Sequence, residues 1–126
     1  MSEPKRLLIV DDDPGLARML KVNLEGAGAF EVRVETTAST AFSAAREFMP
    51  HLILLDVMMP GMDGGEVAAK IHGSRALKDV PIVFLTAAVQ PQEIKSRGGV
   101  IGGYPYLAKP VELDTLLACI EKHIGK

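Results

Sequence analysis

Acidic side chains follow two apolar runs of this sequence, and a hydroxyl and an amine follow two others. The five side chains are Asp11, Asp12, Asp56, Thr86 and Lys109. Carboxylates that lie close together repel, by roughly 4 kcal/mol per pair at ~4 Å and intermediate dielectric, so a cluster of them either raises a pKa or holds a cation. Oxygen ligands without cysteine or histidine favour Mg²⁺ over zinc or copper.

These residue types are also the ones that phosphoryl transfer to a carboxylate requires. A carboxylate beside Mg²⁺ stays ionised and can attack phosphorus, and the acyl phosphate that results carries about two negative charges. The Lys109 ammonium can pair with that phosphoryl group, and the Thr86 hydroxyl can donate a hydrogen bond to it. The sequence therefore contains every part needed to phosphorylate an aspartate.

The elements that must position these side chains are four short, mainly apolar runs and one alternating run that predicts a half-exposed edge strand, separated by segments with helical spacing. The runs are Leu7–Val10, Phe30–Glu35, the one that ends at Asp56, Val80–Thr86 and Tyr104–Ala108. Alternation at this spacing predicts a parallel sheet with right-handed crossovers and helices on both faces. The carboxyl ends of parallel strands share one edge, so the polar side chains are expected to meet there.

The first helix has a clear start in the sequence. Pro14 suits its first turn, and Asp13 suits the N-cap, although Asp13 could instead be a metal ligand. The apolar residues predicted to face the core are Leu16, Met19, Leu20 and Leu24. A later helix is predicted to begin at Asp63, which with Glu66 resembles a capping box.

Glycines interrupt the segment between the last two strands, residues 89–103. Each glycine costs about 1 kcal/mol relative to alanine in a helix interior. We therefore expect any helix in this segment to be short, displaced or mobile.

Bulk properties limit the class of protein. A chain of 126 residues predicts a single domain, 1–126, and the net charge of −2 gives no case for nucleic acid or an anionic membrane as a direct partner. The one cysteine, Cys119, excludes an internal disulfide and favours a reducing compartment. No apolar run approaches the ~20 residues that span a bilayer, so we expect a cytoplasmic protein.

Taken together, the motifs resemble a known family over the whole length of the chain. They are Asp11-Asp12, Asp56 with Met59-Pro60 and Met62-Asp63-Gly64 after it, Thr86-Ala87, and Lys109-Pro110. This pattern is similar to the CheY-like receiver domain of two-component response regulators. The resemblance implies a flavodoxin-like three-layer α/β/α sandwich with five parallel strands in the order 2-1-3-4-5. It also implies a cis bond between Lys109 and Pro110.

The resemblance assigns a role to each residue. It implies that Asp56 accepts a phosphoryl group from a sensor histidine kinase or a histidine phosphotransfer protein, and that Thr86 and Lys109 contact that group. The metal ligands it implies for Mg²⁺ are Asp11, Asp12, Asp56 and the backbone carbonyl of Met58. Tyr106 matches the aromatic switch residue, although Tyr104 lies on the same predicted strand face.

The same resemblance implies a signalling switch rather than an enzyme with a substrate of its own. Its only chemistry would be self-catalysed phosphotransfer and autodephosphorylation, its target would be a downstream effector or output domain, and a homodimer is one possible assembly. The alternative is a phosphatase of the haloacid dehalogenase type with Asp11 as nucleophile and Asp13 completing an Asp-x-Asp motif. A flavin carrier of the same topology would need a phosphate-binding loop where acids stand here.

Overall fold

A computed structural model describes residues 4–28, 30–56, 58–59, 62–86, 100–101, 104–109 and 111–125. The strands are β1 (Lys5–Val10), β2 (Phe30–Glu35), β3 (Leu52–Asp56), β4 (Met58–Met59), β5 (Met62–Asp63), β6 (Ile82–Thr86), β7 (Val100–Ile101) and β8 (Tyr104–Ala108). The helices are α1 (Pro14–Ala27), α2 (Ala38–Phe48), α3 (Gly64–His72) and α4 (Leu113–Ile124).

The main sheet has the order β2-β1-β3-β6-β8-β7, and its first five strands are parallel. Counted among themselves, those five follow the order 2-1-3-4-5, so the predicted flavodoxin-like fold is confirmed. The sixth, β7, pairs antiparallel with β8 and was not predicted. A separate two-stranded ribbon, β4 with β5, connects β3 to α3.

Strands β3 and β6 are buried along their whole length because helices cover both faces of the sheet. One core lies against α2 and α3 and includes Ile53, Leu55 and Phe84. The other lies against α1 and α4 and includes Leu52 and Leu54. Alternate residues of one strand thus enter different cores, as a period of two requires, and three layers result.

Helix α1 begins as predicted, but one of the four residues expected to face the core does not. Asp13 is its N-cap, and the Asp13 side chain accepts a hydrogen bond from the backbone N–H of Leu16. The buried residues are Ala17, Leu20 and Leu24. Met19 was predicted to face the core, and this was wrong, because it is 50 % exposed. Two positions along a helix turn it by about 200°, so a face centred on Ala17 directs Met19 to solvent.

The end of α2 is tied to the start of the sheet by Arg6. The Arg6 side chain donates from Nε to the carbonyl oxygens of Phe48 and Met49, at 3.0 and 2.9 Å. These carbonyls are at the helix terminus, where no intrahelical partner is available. The backbone N–H of Arg6 donates to Nδ1 of His51 at 2.9 Å, which fixes the proton of a neutral imidazole on Nε2. Met49 itself has φ 51°, in the left-handed region.

Both outer strands of the sheet have a local covering. At the β2 edge, the Glu25 carboxylate accepts the backbone N–H of Val32 at 3.0 Å, which satisfies a donor that points away from β1. At the other edge, β7 covers β8. The predicted disturbance of the glycine-rich segment lies outside the described residues over 89–99.

Candidate functional site

The carboxyl ends of four parallel strands bring the predicted side chains to one edge of the sheet. Asp11 directly follows β1, Asp56 ends β3, Thr86 ends β6 and Lys109 directly follows β8. The strand register aligns these ends, because Val10 lies opposite Leu55, Asp56 opposite Leu85 and Thr86 opposite Ala108. Residues separated by almost a hundred positions in sequence therefore become neighbours.

Three carboxylates form a cluster at this edge. Asp11, Asp12 and Asp56 each place one carboxylate oxygen within 4.8 Å of the others. Their exposure differs: Asp11 is fully buried, Asp56 is 4 % exposed and Asp12 is exposed. The cluster thus extends from the interior to solvent, so that a hydrated cation could reach it without opening the fold.

Lys109 balances part of this negative charge. Its Nζ lies 2.7 Å from Oδ2 of Asp11 and 3.3 Å from Oδ2 of Asp56, and its backbone N–H donates to the carbonyl of Thr86 at 2.9 Å. Burial lowers the pKa of Lys109, but the hydrogen bonds and charges of Asp11 and Asp56 outweigh it, so this pKa is raised from its ordinary 10.5. The ammonium therefore stays protonated between the two acids.

The Asp11 carboxylate is oriented on one side only. Its Oδ1 accepts the backbone N–H of Asp13 at 2.9 Å, and the Asp11 backbone N–H donates to the carbonyl of Glu35 at 3.0 Å. Oδ2 is buried, and its contact among the described residues is the ion pair with Lys109 at 2.7 Å. A buried carboxylate oxygen in that situation, next to two more carboxylates, fits a hard cation such as Mg²⁺.

The remaining predicted residues lie on or near the same edge. Thr86 is buried, at 1 % exposure. Tyr106 is partly buried against the core on the α2 and α3 side, with its ring 5.0 Å from the ring of Phe84 at an interplanar angle of 45°. The Tyr104 side chain, the alternative switch residue, lies outside the described residues. Tyr106 packs beside a neighbour of Thr86 on β6, which keeps it as the candidate.

Two predictions have no structural outcome. Met58 pairs with Asp63 in the β4–β5 ribbon, but the direction of its carbonyl is not described, so its role as a ligand stays a prediction. The predicted cis bond between Lys109 and Pro110 involves a residue outside the described ranges. The hydrogen bond from the Asp13 backbone N–H to Asp11 was not predicted from the sequence. An N-cap motif predicts what the side chain of the capping residue accepts, but not which group its backbone N–H contacts.

Comparison with known proteins agrees with this geometry. Residues 7–121 match the family model of the response regulator receiver domain. The chain belongs to the response regulator receiver domain family. Receiver domains are signalling switches, they generally bind Mg²⁺ at an acidic pocket, and response regulators interact with histidine kinases and output domains. The alternative of a haloacid dehalogenase-type phosphatase is not supported by these matches.

Similar receiver domains occur in longer regulators. The chain is 40 % identical over 122 residues to the DNA-binding response regulator MtrA of Mycolicibacterium smegmatis, covering 97 % of this chain and 51 % of MtrA. It is 35 % identical over 113 residues to the transcriptional regulator RpaA of Synechocystis, covering 90 % of this chain and 46 % of RpaA. The chain thus spans about half the length of these relatives.

Solved structures share the fold. The chemotaxis protein CheY4 of Vibrio cholerae superposes with a TM-score of 0.80 at 29 % identity, covering 95 % of this chain and 98 % of CheY4. A CheY-like receiver domain of Methanospirillum hungatei gives the same TM-score and identity, covering 97 % and 94 % of the two chains. Among the described residues, no helix is long and apolar enough to cross a membrane.

Proposed function

We propose that this receiver domain, which we take to span residues 1–126, accepts a phosphoryl group on Asp56 and changes conformation in response. The observation that carries the proposal is the position of the Lys109 ammonium, 2.7 Å from Asp11 and 3.3 Å from Asp56, inside a cluster of three carboxylates. Such a site already balances anions against a cation. It can therefore accept the charge of a phosphoryl group with little rearrangement.

Asp56 is the nucleophile in this proposal. One of its carboxylate oxygens forms a bond to phosphorus while the bond from phosphorus to the donor breaks, and the departing imidazole takes a proton from water. Asp56 is suited to this because it ends β3 at the sheet edge and retains slight exposure, whereas Asp11 is fully buried. A histidine kinase or a histidine phosphotransfer protein is the proposed donor.

The residues around Asp56 would bind the metal ion and the phosphoryl group. Asp11, Asp12 and Asp56, with the Met58 carbonyl, would hold Mg²⁺, which supplies charge neutralisation at the phosphoryl oxygens when bound. Lys109 pairs with the phosphoryl group after it forms.

On the other side of the acceptor, the Thr86 hydroxyl donates a hydrogen bond to the new phosphoryl group, and the displacement of Thr86 would draw Tyr106 further inward. A downstream effector or output domain would bind differently after that conformational change. Formation of a homodimer is one way in which the change could reach it. The same site would catalyse its own dephosphorylation. Cytoplasmic localisation stays a prediction.

Phosphorylation with a small donor tests the proposal directly. The protein is incubated with acetyl phosphate and Mg²⁺, the mass gain of one phosphoryl group is followed by intact mass spectrometry, and the acceptor is mapped by borohydride reduction. Asp56→Asn should abolish the mass gain and leave the circular dichroism spectrum unchanged. Asp79→Asn is the matched control, because Asp79 is exposed at the opposite end of β6.

The outcomes separate the candidates. Label on Asp56 that depends on Mg²⁺ supports the proposal. Label on Asp11 would instead make it the nucleophile, and a wild-type protein that takes up no label under these conditions would refute the phosphoacceptor function. Lys109→Ala should still be labelled slowly but lose the spectral change that accompanies phosphorylation in the wild type.

A further inference from the structure

Asp13 connects helix α1 to the acidic cluster through three hydrogen bonds. Its Oδ1 accepts the backbone N–H of Leu16 at 3.1 Å, and its carbonyl oxygen accepts the N–H of Ala17 at 3.0 Å, which are the capping bond and the first helical bond of α1. Its own backbone N–H points the other way and donates to Oδ1 of Asp11 at 2.9 Å. Asp13 thus both caps α1 and orients the Asp11 carboxylate.

The capping bond fixes the direction of that N–H. Asp13 has φ −93° and ψ 100°, an extended conformation that its side chain holds against the first turn of α1. Without a capping oxygen, the N–H of Leu16 has no side-chain acceptor, and the backbone before α1 gains freedom to rotate. The amide of residue 13 would then no longer be held towards Asp11.

The orientation of Asp11 depends on this amide. The bond to Oδ1 leaves Oδ2 directed at the cluster, 2.7 Å from Nζ of Lys109, and rotation of the carboxylate would break both contacts at once. The Asp13 carboxylate is exposed and is not part of the group of acids that lie within 4.8 Å of one another. Asp13 therefore acts on the cluster through Asp11.

We propose that Asp13 is a positioning residue for the cation site, which holds the Asp11 carboxylate in its ligating orientation by capping α1. The inference rests on the proposed function, because it assigns a supporting role to a residue outside the predicted ligand set. Groups that orient metal ligands commonly change metal affinity by tenfold or more when removed.

The test compares two variants with the same charge. Asp13→Ala removes the capping oxygen, whereas Asp13→Asn keeps an oxygen that can accept the Leu16 N–H; both lose the negative charge. Ile71→Val, on the buried side of α3, is a control that lowers stability without touching the acidic edge. Three quantities are measured: the melting temperature without Mg²⁺, the Mg²⁺ dissociation constant by calorimetry, and the amide proton shift of residue 13 by NMR.

We expect Asp13→Ala to lower the melting temperature by about 4 °C and to weaken Mg²⁺ binding about tenfold relative to Asp13→Asn. Its residue 13 amide should move towards the shift of an unstructured chain, while that of Asp13→Asn should stay near the wild-type value. Ile71→Val should lower the melting temperature and leave the dissociation constant unchanged.

Three results would overturn the inference. The first is equal Mg²⁺ affinity in Asp13→Ala and Asp13→Asn, which would show that the capping oxygen of Asp13 does not affect the cation site. The second is an equal loss of affinity in Ile71→Val, which would assign the effect to general destabilisation. The third is a wild-type protein that neither binds Mg²⁺ nor takes up label, and only this result would refute the proposed function as well.

Discussion

Replacing Lys109 by methionine should make the stability of the protein depend on added cation. Methionine keeps most of the aliphatic stem of the side chain but removes the ammonium that contacts Asp11 at 2.7 Å and Asp56 at 3.3 Å. The fully buried Asp11 would then face two other carboxylates without the Lys109 ammonium beside it. We expect a large loss of stability in a metal-free buffer and an unusually large recovery when Mg²⁺ is added.

The size of the loss follows from these distances. At an effective dielectric of ~20, the two contacts are gross attractions of about 6 and 5 kcal/mol, most of which is offset by desolvation of the three groups. Truncating one member of a buried ion pair costs about 3–5 kcal/mol. Because Asp56 and Asp12 keep contact with solvent, we expect the lower figure, about 3 kcal/mol. For 126 residues this lowers the melting temperature by about 11 °C.

Thermal unfolding in EDTA and in a series of Mg²⁺ concentrations measures both effects. A ligand at a hundred times its dissociation constant stabilises by about 2.7 kcal/mol, so saturating Mg²⁺ should restore most of the loss. The Mg²⁺-induced shift should be larger in Lys109→Met than in the wild type, because the variant has no ammonium to oppose the incoming cation. Lys78→Met, at an exposed turn, is the control and should change stability by less than about 0.5 kcal/mol.

Either of two results would contradict this electrostatic account. The first is an unchanged melting temperature of Lys109→Met in EDTA. The second is a Mg²⁺-induced shift of the same size in the variant and the wild type.

Three further predictions concern pH and stability. The pKa of Lys109 is raised above 10.5 in the folded protein, so its contribution is complete below about pH 10 and is lost as pH rises through the folded-state pKa; urea unfolding across this range should show a loss in the wild type that Lys109→Met lacks. Met49→Asn should stabilise by about 0.5–1 kcal/mol in the same assay, because φ 51° suits asparagine better and Met49 is 41 % exposed; a decrease would contradict this. Glu25→Ala should cost about 0.5–1.5 kcal/mol by removing the acceptor of the Val32 N–H, whereas Glu25→Gln should recover most of that, and equal losses would point to charge instead.

The fold was predictable because its signals are local and repeated. Each central strand is a short apolar run bounded by turn residues, and each such run ends in a polar side chain whose type suggests chemistry. Parallel topology then places Asp11, Asp56 and Lys109 together without any knowledge of distances. The helix start at Asp13 was equally accessible, since the cap and the proline after it are adjacent in sequence.

The errors and omissions arise where structure depends on distant partners. Met19 belongs to an apolar stripe wide enough for two interpretations, and only packing against the sheet decides which side of α1 is buried. Leu77 is fully buried in the turn after α3, where no periodic pattern marks it. Glu25 stands in the last turn of α1, where a negative charge opposes the helix dipole, and its purpose is evident only once β2 lies beside it.

Lys109 follows the last strand, and this position matters for the order in which the site forms during synthesis. The acids at positions 11, 12 and 56 are synthesised long before their counter-charge, which lies beyond all five parallel strands. A nascent or truncated polypeptide that ends before β8 would hold the carboxylates without Lys109 and would also have an incomplete sheet. The complete site would therefore form only in chains that have been translated through the final strand and Lys109.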